Sequence, residues 1–179
     1  MLVTKVIHDL NLSFALKFLG SLQYFLVFEA HRSCHGITLT QSKYTWDLIV
    51  KVGLGEFKPC PTPLAFASKL ASADGQPFDD ATLYRSTVSA LQYLTLSRPD
   101  LAFAMNKLSQ FLSAPSQVHC QSVKRVLRFV RDTLSYGLSC TAAPKLELEG
   151  FADADWASSL DDYKSTRGYC LYLGGNLIS

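Results

Sequence analysis

The segment YRSTVSALQYLTLSRPDLAFAMNKLSQF, residues 84–111, determines most of the predicted fold. On either side of Ser97–Asp100 its apolar residues recur with the period of one helix face. The SRPD tetrapeptide between them predicts a stop and a restart, because proline suits the first turn of a helix and an acid is favoured there by the helix dipole. The segment therefore predicts two helices that meet at a capped joint.

Patterns on both sides of this segment predict further helices. Residues 41–52 carry apolar groups on one helical face and are followed by Gly53 and Gly55. Residues 117–135 place Val123, Val126, Leu127 and Val130 inward, and Gly137 predicts a left-handed cap at the end. Between these helical regions, residues 56–77 contain three alternate prolines, which predict an extended connector.

Strand patterns lie near both ends of the chain. Residues 22–30 and 36–40 are rich in aromatic and aliphatic side chains and predict a hairpin with its turn at 31–35. From residue 146 apolar and polar residues alternate, which predicts a strand paired with 167–173. A glycine pair, Gly174 and Gly175, then predicts a turn into a third strand.

Composition narrows the functional class. The chain has 179 residues, of which 48% are hydrophobic and 18% charged, and a net charge of +2. This predicts a folded protein in which any nucleic-acid binding depends on a local patch. The five cysteines form no C-x-x-C pair, and no long apolar run or secretory signal pattern occurs. We expect a soluble intracellular protein without a membrane partner, in the cytoplasm or the nucleus.

Five stretches in one order closely resemble the Pol polyprotein of copia-type LTR retrotransposons. They are KFLGSLQYFLVFEA (17–30), LTQSKYTWDLI (39–49), PCPTPL (59–64), VKRVLRFVRDTLSYGL (123–138) and GFADADWASSLDDYKSTRGYCLYLGGNLIS (150–179). The resemblance implies an α+β fold in three parts. Residues 1–78 would be the end of a reverse transcriptase with its primer-grip hairpin and a thumb-like region, residues 79–144 a helical connection, and residues 145–179 a truncated ribonuclease H-like hairpin.

The resemblance also implies a function in RNA-templated DNA synthesis and integration of the element. An RNA-directed DNA polymerase needs paired aspartates that hold two Mg²⁺ ions, in this family on a Tyr-x-Asp-Asp turn, and no such string occurs here. We expect a fragment that is catalytically inactive by itself and binds no cofactor. Its implied partners are an RNA:DNA hybrid or primer-template and the remainder of the Pol polyprotein.

The strand FADADW, residues 151–156, resembles the opening strand of the family's ribonuclease H. The resemblance assigns Asp153 as a ligand of catalytic Mg²⁺, and a carboxylate oxygen is a ligand suited to that ion. Asp155 lies on the same face by the two-residue period. Because the other carboxylates of a ribonuclease H site are missing here, Asp153 would be a lone remnant of it, and the alternative is a pair of solvated acids beside a turn.

Two further surfaces are predicted to bind nucleic acid. Lys124, Arg128 and Arg131 recur at helical spacing, with Arg125 and His119 nearby, and could neutralise phosphates. The alternative is the ordinary charged outer face of an amphipathic helix.

The segment YFLVFE, residues 24–29, resembles the primer grip, which would place Tyr24 and Phe25 at the nucleic acid; the alternative is a buried hairpin strand.

Three positions depart from glycines usual in the family: Val27, Ser89 and Asp132. For the whole chain, the main alternative is a non-catalytic module that binds nucleic acid or protein.

Overall fold

The structure is a computed structural model that describes residues 2–15, 23–53, 58–65, 70–157 and 160–179. Within these residues the chain has a mixed α+β fold with five α-helices and two antiparallel sheets. The helices are α1 (Leu2–Ser13), α2 (Ser42–Lys51), α3 (Ala81–Leu94), α4 (Ala102–Ser109, preceded by a 3-10 turn at Pro99–Leu101) and α5 (Gln117–Asp132). The strands are β1 (Tyr24–Phe25), β2 (Phe28–Ser33), β3 (Gly36–Thr40), β4 (Leu138–Thr141), β5 (Leu148–Ala154), β6 (Arg167–Leu173) and β7 (Asn176–Leu177).

The hydrophobic core lies between helices α2 to α5, as the apolar periodicity predicts. Val88, Leu91 and Leu108 are completely buried in it, and Leu127 of α5 is 1% exposed. The hydroxyl of Tyr84 is buried with them and donates a hydrogen bond of 2.8 Å to the carbonyl of Leu108. Burial raises the pKa of Tyr84, so this hydroxyl stays protonated and keeps its partner.

Side-chain caps set where the two longest core helices begin. Asp80 accepts a hydrogen bond of 2.8 Å from the amide of Leu83 at the start of α3. Ser116 caps α5 in a capping box whose second member is His119. Helix α5 ends at Asp132, three residues before the predicted end at Ser135.

The connector between α2 and α3 contains no helix and no strand in its described residues, as predicted. It still packs against the helices, because Cys60 and Leu70 are buried. A bridge between Pro77 and Ser116 fixes its end beside the start of α5. Gly55, at the predicted end of α2, lies outside the described residues.

The first sheet has the order β1-β2-β3-β4. The prediction of one strand over 22–30 was wrong, because the chain turns tightly at Leu26 and Val27, and the turn after β2 covers only Cys34 and His35. Residue 22 lies outside the described part. The φ angle is +46° at Leu26 and +65° at Val27, the left-handed conformation that a two-residue hairpin turn requires.

This turn gives a physical reason for the glycine that the family resemblance places at position 27. Left-handed φ is unfavourable for a β-branched residue such as Val27, by about 1–2 kcal/mol. We expect Val27→Gly to raise the free energy of unfolding by about 1 kcal/mol, since glycine adopts this φ without strain. Urea denaturation measures the change, and Val27→Ala, which keeps a Cβ atom, is the control that should gain less. A lower stability of Val27→Gly would contradict the account.

Strand β4 was not predicted. It pairs with β3 from Leu39↔Leu138 to Gly36↔Thr141 and so joins the residues after α5 to the N-terminal hairpin. Gly137 was predicted as a left-handed helix cap, and this is wrong because α5 ends at Asp132 and Gly137 is not among the glycines with positive φ. Instead Gly137 lies against β3, where a Cβ atom would come within 2.2 Å of the carbonyl oxygen of Leu39.

The second sheet has the order β5-β6-β7 and confirms the predicted strand pairing with 167–173, although β5 begins at Leu148 and not at residue 146. Its register runs from Leu148↔Leu173 to Ala154↔Arg167. Gly174 and Gly175, both with positive φ, form the predicted turn into β7. Asp153 therefore lies opposite Gly168, near the end of β5.

None of the helices in the described residues is both long and apolar enough to cross a bilayer.

Candidate functional site

The predicted basic row lies on α5. Lys124 is exposed, and Arg125, Arg128 and Arg131 are half-buried. The opposite face of the helix carries Val123, Val126, Leu127 and Val130 into the core, so the amphipathic pattern fixes which side faces solvent. Among the described residues, no carboxylate forms an ion pair with Lys124, Arg125 or Arg128.

Two arginines of this row differ from freely solvated side chains. Arg125 donates a hydrogen bond of 2.9 Å from Nη2 to the hydroxyl of Thr62 in the connector. The Nε atoms of Arg125 and Arg128 are buried and have no hydrogen-bond partner among the described residues. Buried donors without partners are unfavourable, and an anion that reaches the guanidinium groups would improve their solvation.

His119 is not part of the basic row, and its prediction as a nearby cation was wrong. The side chain is completely buried and stacks on Phe111 with ring centroids 3.9 Å apart. Its Nδ1 accepts a hydrogen bond from the amide of Ser116, and its Nε2 lies 3.1 Å from the carbonyl of Ala71. A ring that accepts at Nδ1 and donates at Nε2 is the neutral tautomer.

Burial lowers the pKa of His119 below its usual 6.5, while the Ala71 carbonyl and the carboxylates of Asp74 and Asp161 oppose the shift. The unfolded chain binds a proton near pH 6.5 and the folded chain resists it. Stability from this group is therefore complete above about pH 6.5 and is lost as the pH falls through the lowered pKa.

We expect His119→Gln to reduce this loss below pH 6.5 by up to about 1.4 kcal/mol per pH unit, the slope that one proton gives. Glutamine can accept the Ser116 hydrogen bond in the capping box but does not titrate. Urea unfolding at several pH values between 5 and 8 measures the slope for both proteins. Parallel curves for wild type and variant would contradict the assignment, and replacement of the exposed His35 is the control.

The SRPD joint forms a buried polar centre that the sequence did not predict. Arg98 is 4% exposed and holds Asp100 through two hydrogen bonds, Nε to Oδ1 at 2.9 Å and Nη2 to Oδ2 at 2.7 Å. It also donates to the carbonyl and the hydroxyl of Thr133, at 2.9 and 2.8 Å. The aromatic rings of Phe129 and Tyr136 lie 5.5 and 5.3 Å from the guanidinium carbon.

Arg98 therefore ties the α3–α4 joint to the end of α5. Neighbouring Ser97 is buried and donates a hydrogen bond of 2.7 Å to Oε1 of Gln41, at the start of α2. The signal in the sequence was Arg-Pro-Asp itself, since arginine and aspartate two residues apart across a proline turn can meet as a bidentate pair. This centre positions the helix that carries the basic row.

The tip of the β1–β2 hairpin is exposed. Tyr24 is 54% and Phe25 61% accessible, so the alternative of a buried strand is wrong for these two residues. The carbonyl of Leu26 accepts a hydrogen bond of 3.2 Å from the hydroxyl of Tyr93, which holds the tip against α3. Two exposed rings on the strand before this turn could stack on nucleotide bases.

Asp153 and Asp155 lie together in a cleft of about 530 Å³ between the 3-10 turn and α4 on one side and the β5–β6 hairpin on the other. Asp153 accepts a hydrogen bond of 2.9 Å from the amide of Ala154. Asp155 accepts one from the amide of Thr166, across the hairpin. Phe103 of α4 lines the same cleft and is 55% exposed.

These acids do not fit a complete Mg²⁺ site. Among the described residues, no three His, Cys, Asp or Glu side chains gather where an ion could bind. Asp153, the carboxylate that the resemblance assigns to the ion, and Asp155 each already accept a hydrogen bond from a backbone amide. One carboxylate without further protein or substrate ligands does not hold the ion.

The three predicted surfaces lie on different elements: the hairpin tip on β1, the basic row on α5 and Asp153 on β5. Ser89 and Asp132, two of the positions where the family usually has glycine, are both exposed. The side chain of Ser89 faces solvent and therefore adds no bulk between packed helices.

Comparison with known proteins shows relatives over nearly the whole chain. The retrovirus-related Pol polyprotein from transposon RE1 of Arabidopsis thaliana is 40% identical over 178 residues, which are 99% of this chain and 12% of that protein. The uncharacterized mitochondrial protein AtMg00810 of the same plant is 36% identical, over 99% of this chain and 74% of its own length. The putative transposon Ty5-1 protein YCL074W of Saccharomyces cerevisiae is 31% identical over 96% of this chain and 56% of its own length.

The chain thus spans about an eighth of the Pol polyproteins that it matches first. No protein-family model matches it. No solved structure matches it either. The relatives confirm what the five sequence stretches predict: the chain belongs to the family of copia-type retrotransposon Pol polyproteins.

Proposed function

We propose that this chain is the part of a reverse transcriptase that follows its catalytic centre, joined to the beginning of a ribonuclease H. In this proposal residues 1–78 supply the primer-grip hairpin and thumb-like region, residues 79–144 the connection, and residues 145–179 the first ribonuclease H strands. Its remaining activity is to bind an RNA:DNA hybrid or primer-template without catalysis. DNA synthesis and integration of the element would belong to the complete polyprotein.

The basic row of α5 carries this proposal. Lys124, Arg125 and Arg128 lie on one helix without a carboxylate partner among the described residues, while the chain as a whole is nearly neutral. Such a row contacts phosphates and not bases, so it binds nucleic acid with little dependence on sequence. The exposed rings of Tyr24 and Phe25 would add stacking to an unpaired base.

Catalysis by this chain alone has no support in its residues. Asp153 would be a remnant of a ribonuclease H site, and a Mg²⁺ ion would need ligands that other parts of the polyprotein supply. We therefore propose no cofactor for this chain and neither polymerisation nor RNA cleavage by it.

A second candidate function is a protein-interaction module, and helix α1 favours it. Val3, Val6 and Leu10 lie on one helical face at 71%, 50% and 45% exposure. Apolar side chains at this spacing usually face another protein surface. The partner we propose is the remainder of the Pol polyprotein, in keeping with relatives that are Pol polyproteins of which this chain matches 12%.

Replacement of Lys124 and Arg128 by alanine tests the nucleic-acid surface. We expect the double variant to bind a fluorescent RNA:DNA hybrid at least about tenfold more weakly and to lose about two from the slope of log affinity against log salt. The matched control replaces Lys43 and Lys51, two exposed lysines of α2, and should retain most of the affinity. Equal losses in both double variants would contradict a binding surface on α5.

A further inference from the structure

The second sheet is attached to the rest of the molecule almost without a hydrophobic interface. From residue 134 to the end of the described chain no residue is buried, and the hydrophobic core ends at Val130. All residues of β5 are exposed, and those of β6 are exposed or half-buried. Units that share few buried apolar contacts move relative to each other at low cost in free energy.

Between described residues, two polar ties link this sheet to the rest of the molecule. Near the chain connection, the side chain of Asn176 accepts a hydrogen bond of 2.6 Å from the amide of Thr141 and donates one of 3.0 Å to its carbonyl. The side-chain amide of Asn176 thereby links β7 to the last residue of β4. The tie lies next to residues 142–147, which have no helix or strand and lead directly into β5.

The second tie lies on the other side of the cleft. Asp161, in the segment between β5 and β6, accepts three hydrogen bonds from Ser72 of the connector. The Ser72 amide lies 3.1 and 3.0 Å from the two carboxylate oxygens, and its hydroxyl lies 2.8 Å from Oδ2. Ser72 and Asp161 also line a polar cleft that shares Asn106, Thr166 and Arg167 with the Asp153 cleft.

The position of Ser72 is fixed by the helical core. The carbonyl of the preceding Ala71 contacts the buried ring of His119, and its amide donates a hydrogen bond of 2.8 Å to Asp74. The carboxylate of Asp161 thus binds a preformed site on the body of the protein. A charged acceptor on two oriented donors is a stronger tie than an ordinary surface contact.

We propose that the second sheet is a hinged flap and that Asp161 is its latch. The flap, residues 148–157 and 160–177, turns about residues 142–147 beside the Asn176 bridge. With Asp161 bound to Ser72, the flap is closed over the cleft and holds Asp153 opposite α4. When this tie opens, the cleft widens while the helical core and both sheets keep their internal hydrogen bonds.

Distances between two spin labels test this device in the whole chain. The labels are placed by Leu96→Cys on the body and Trp156→Cys on the flap, positions that are 58% and 94% exposed. Cys34, Cys140 and Cys170 are replaced by serine because none of them is buried. With the latch intact we expect one closed distance.

Asp161→Ala should add a second, longer distance and raise the ratio of open to closed molecules about tenfold, since charge-assisted hydrogen bonds at an exposed site are lost. Ser72→Ala, which removes only the hydroxyl, should raise the ratio less. The control Glu149→Ala removes another exposed carboxylate, on β5 of the flap and outside the hinge, and should leave the distances unchanged. Identical distance distributions for wild type and Asp161→Ala, or a broad distribution already in the wild type, would overturn the latch.

Discussion

Replacement of Arg98 by alanine is expected to lower the free energy of unfolding by about 3 kcal/mol. Arg98 is nearly inaccessible, and its guanidinium group binds Asp100, both oxygens of Thr133 and two aromatic rings. Alanine would leave the Thr133 carbonyl without its donor and open a gap between the α3–α4 joint and α5. Loss of a buried, fully bonded charge is among the most destabilising single changes in a protein.

Urea denaturation followed by circular dichroism measures this loss of free energy. In thermal unfolding, the melting temperature of a chain of this size should fall by roughly 6–12 °C. Arg98→Lys keeps the charge without the planar fork and should lie between wild type and alanine. Arg131→Ala, on the half-buried row of the same helical region, is the arginine control and should cost much less. If Arg98→Ala and Arg131→Ala are equally stable, the buried centre does not hold the joint.

The second large effect is expected for Gly137→Ala, which should also lower stability by about 3 kcal/mol. A Cβ atom at position 137 would lie 2.2 Å from the carbonyl oxygen of Leu39 and 2.8 Å from the methyl group of Thr40. The first of these atoms belongs to the backbone of β3, so the clash is relieved only if β3 and β4 separate. We expect the loss of the β3–β4 pairing together with the loss of stability.

Hydrogen exchange in the β3 and β4 peptides identifies that local change, and thermal unfolding gives its energetic size. Gly168→Ala is a matched control in another strand, because a Cβ atom there meets nothing within 4 Å. The control should stay within about 0.5 kcal/mol of the wild type. A Gly137→Ala protein that is as stable as Gly168→Ala would mean that β4 does not approach β3 as closely as described.

Helices α2 to α5 could be predicted because each carries its own apolar period, whereas α1 was not predicted. In α5 the residues predicted to face inward are buried, and the β5–β6 pairing follows from a two-residue alternation. These signals are local, so they need no knowledge of the partner elements. The predicted and observed ends of the helices differ. Helix α5 ends at Asp132 and not at Ser135, and the carbonyl of the next residue, Thr133, accepts a hydrogen bond from Arg98.

Two of the features that could not be predicted, strand β4 and the burial of His119, depend on residues distant in sequence. β4 is four residues long and is a strand because β3 lies beside it, about one hundred positions earlier. The turn at Leu26 and Val27 lacks the glycine or asparagine that usually indicates it, so the segment has the composition of one continuous strand. His119 precedes the basic residues on the same helix and so resembles a member of the basic row in the sequence. Its burial follows from contacts with Phe111 and Ala71.

For the candidate site, the positions of the residues on their helix or strand could be predicted, but the burial and contacts of their side chains could not. Lys124 and Arg128 are on the solvent side of α5, as the helical period requires, yet the buried Nε of Arg128 and the Thr62 contact of Arg125 depend on tertiary packing. The same holds for Asp153, whose strand and face were predicted while the cleft against α4 was not. The centre at Arg98, which positions α5, has no periodic signal at all.

The most direct test of the proposed function is titration of the purified chain with a fluorescent RNA:DNA hybrid at low and high salt, with Mg²⁺, primer and deoxynucleotides in the same tube. We expect binding that weakens steeply with salt, together with no primer extension and no RNA cleavage. Extension or cleavage would contradict a fragment without a catalytic centre. Absence of binding at low salt would contradict the nucleic-acid surface on α5.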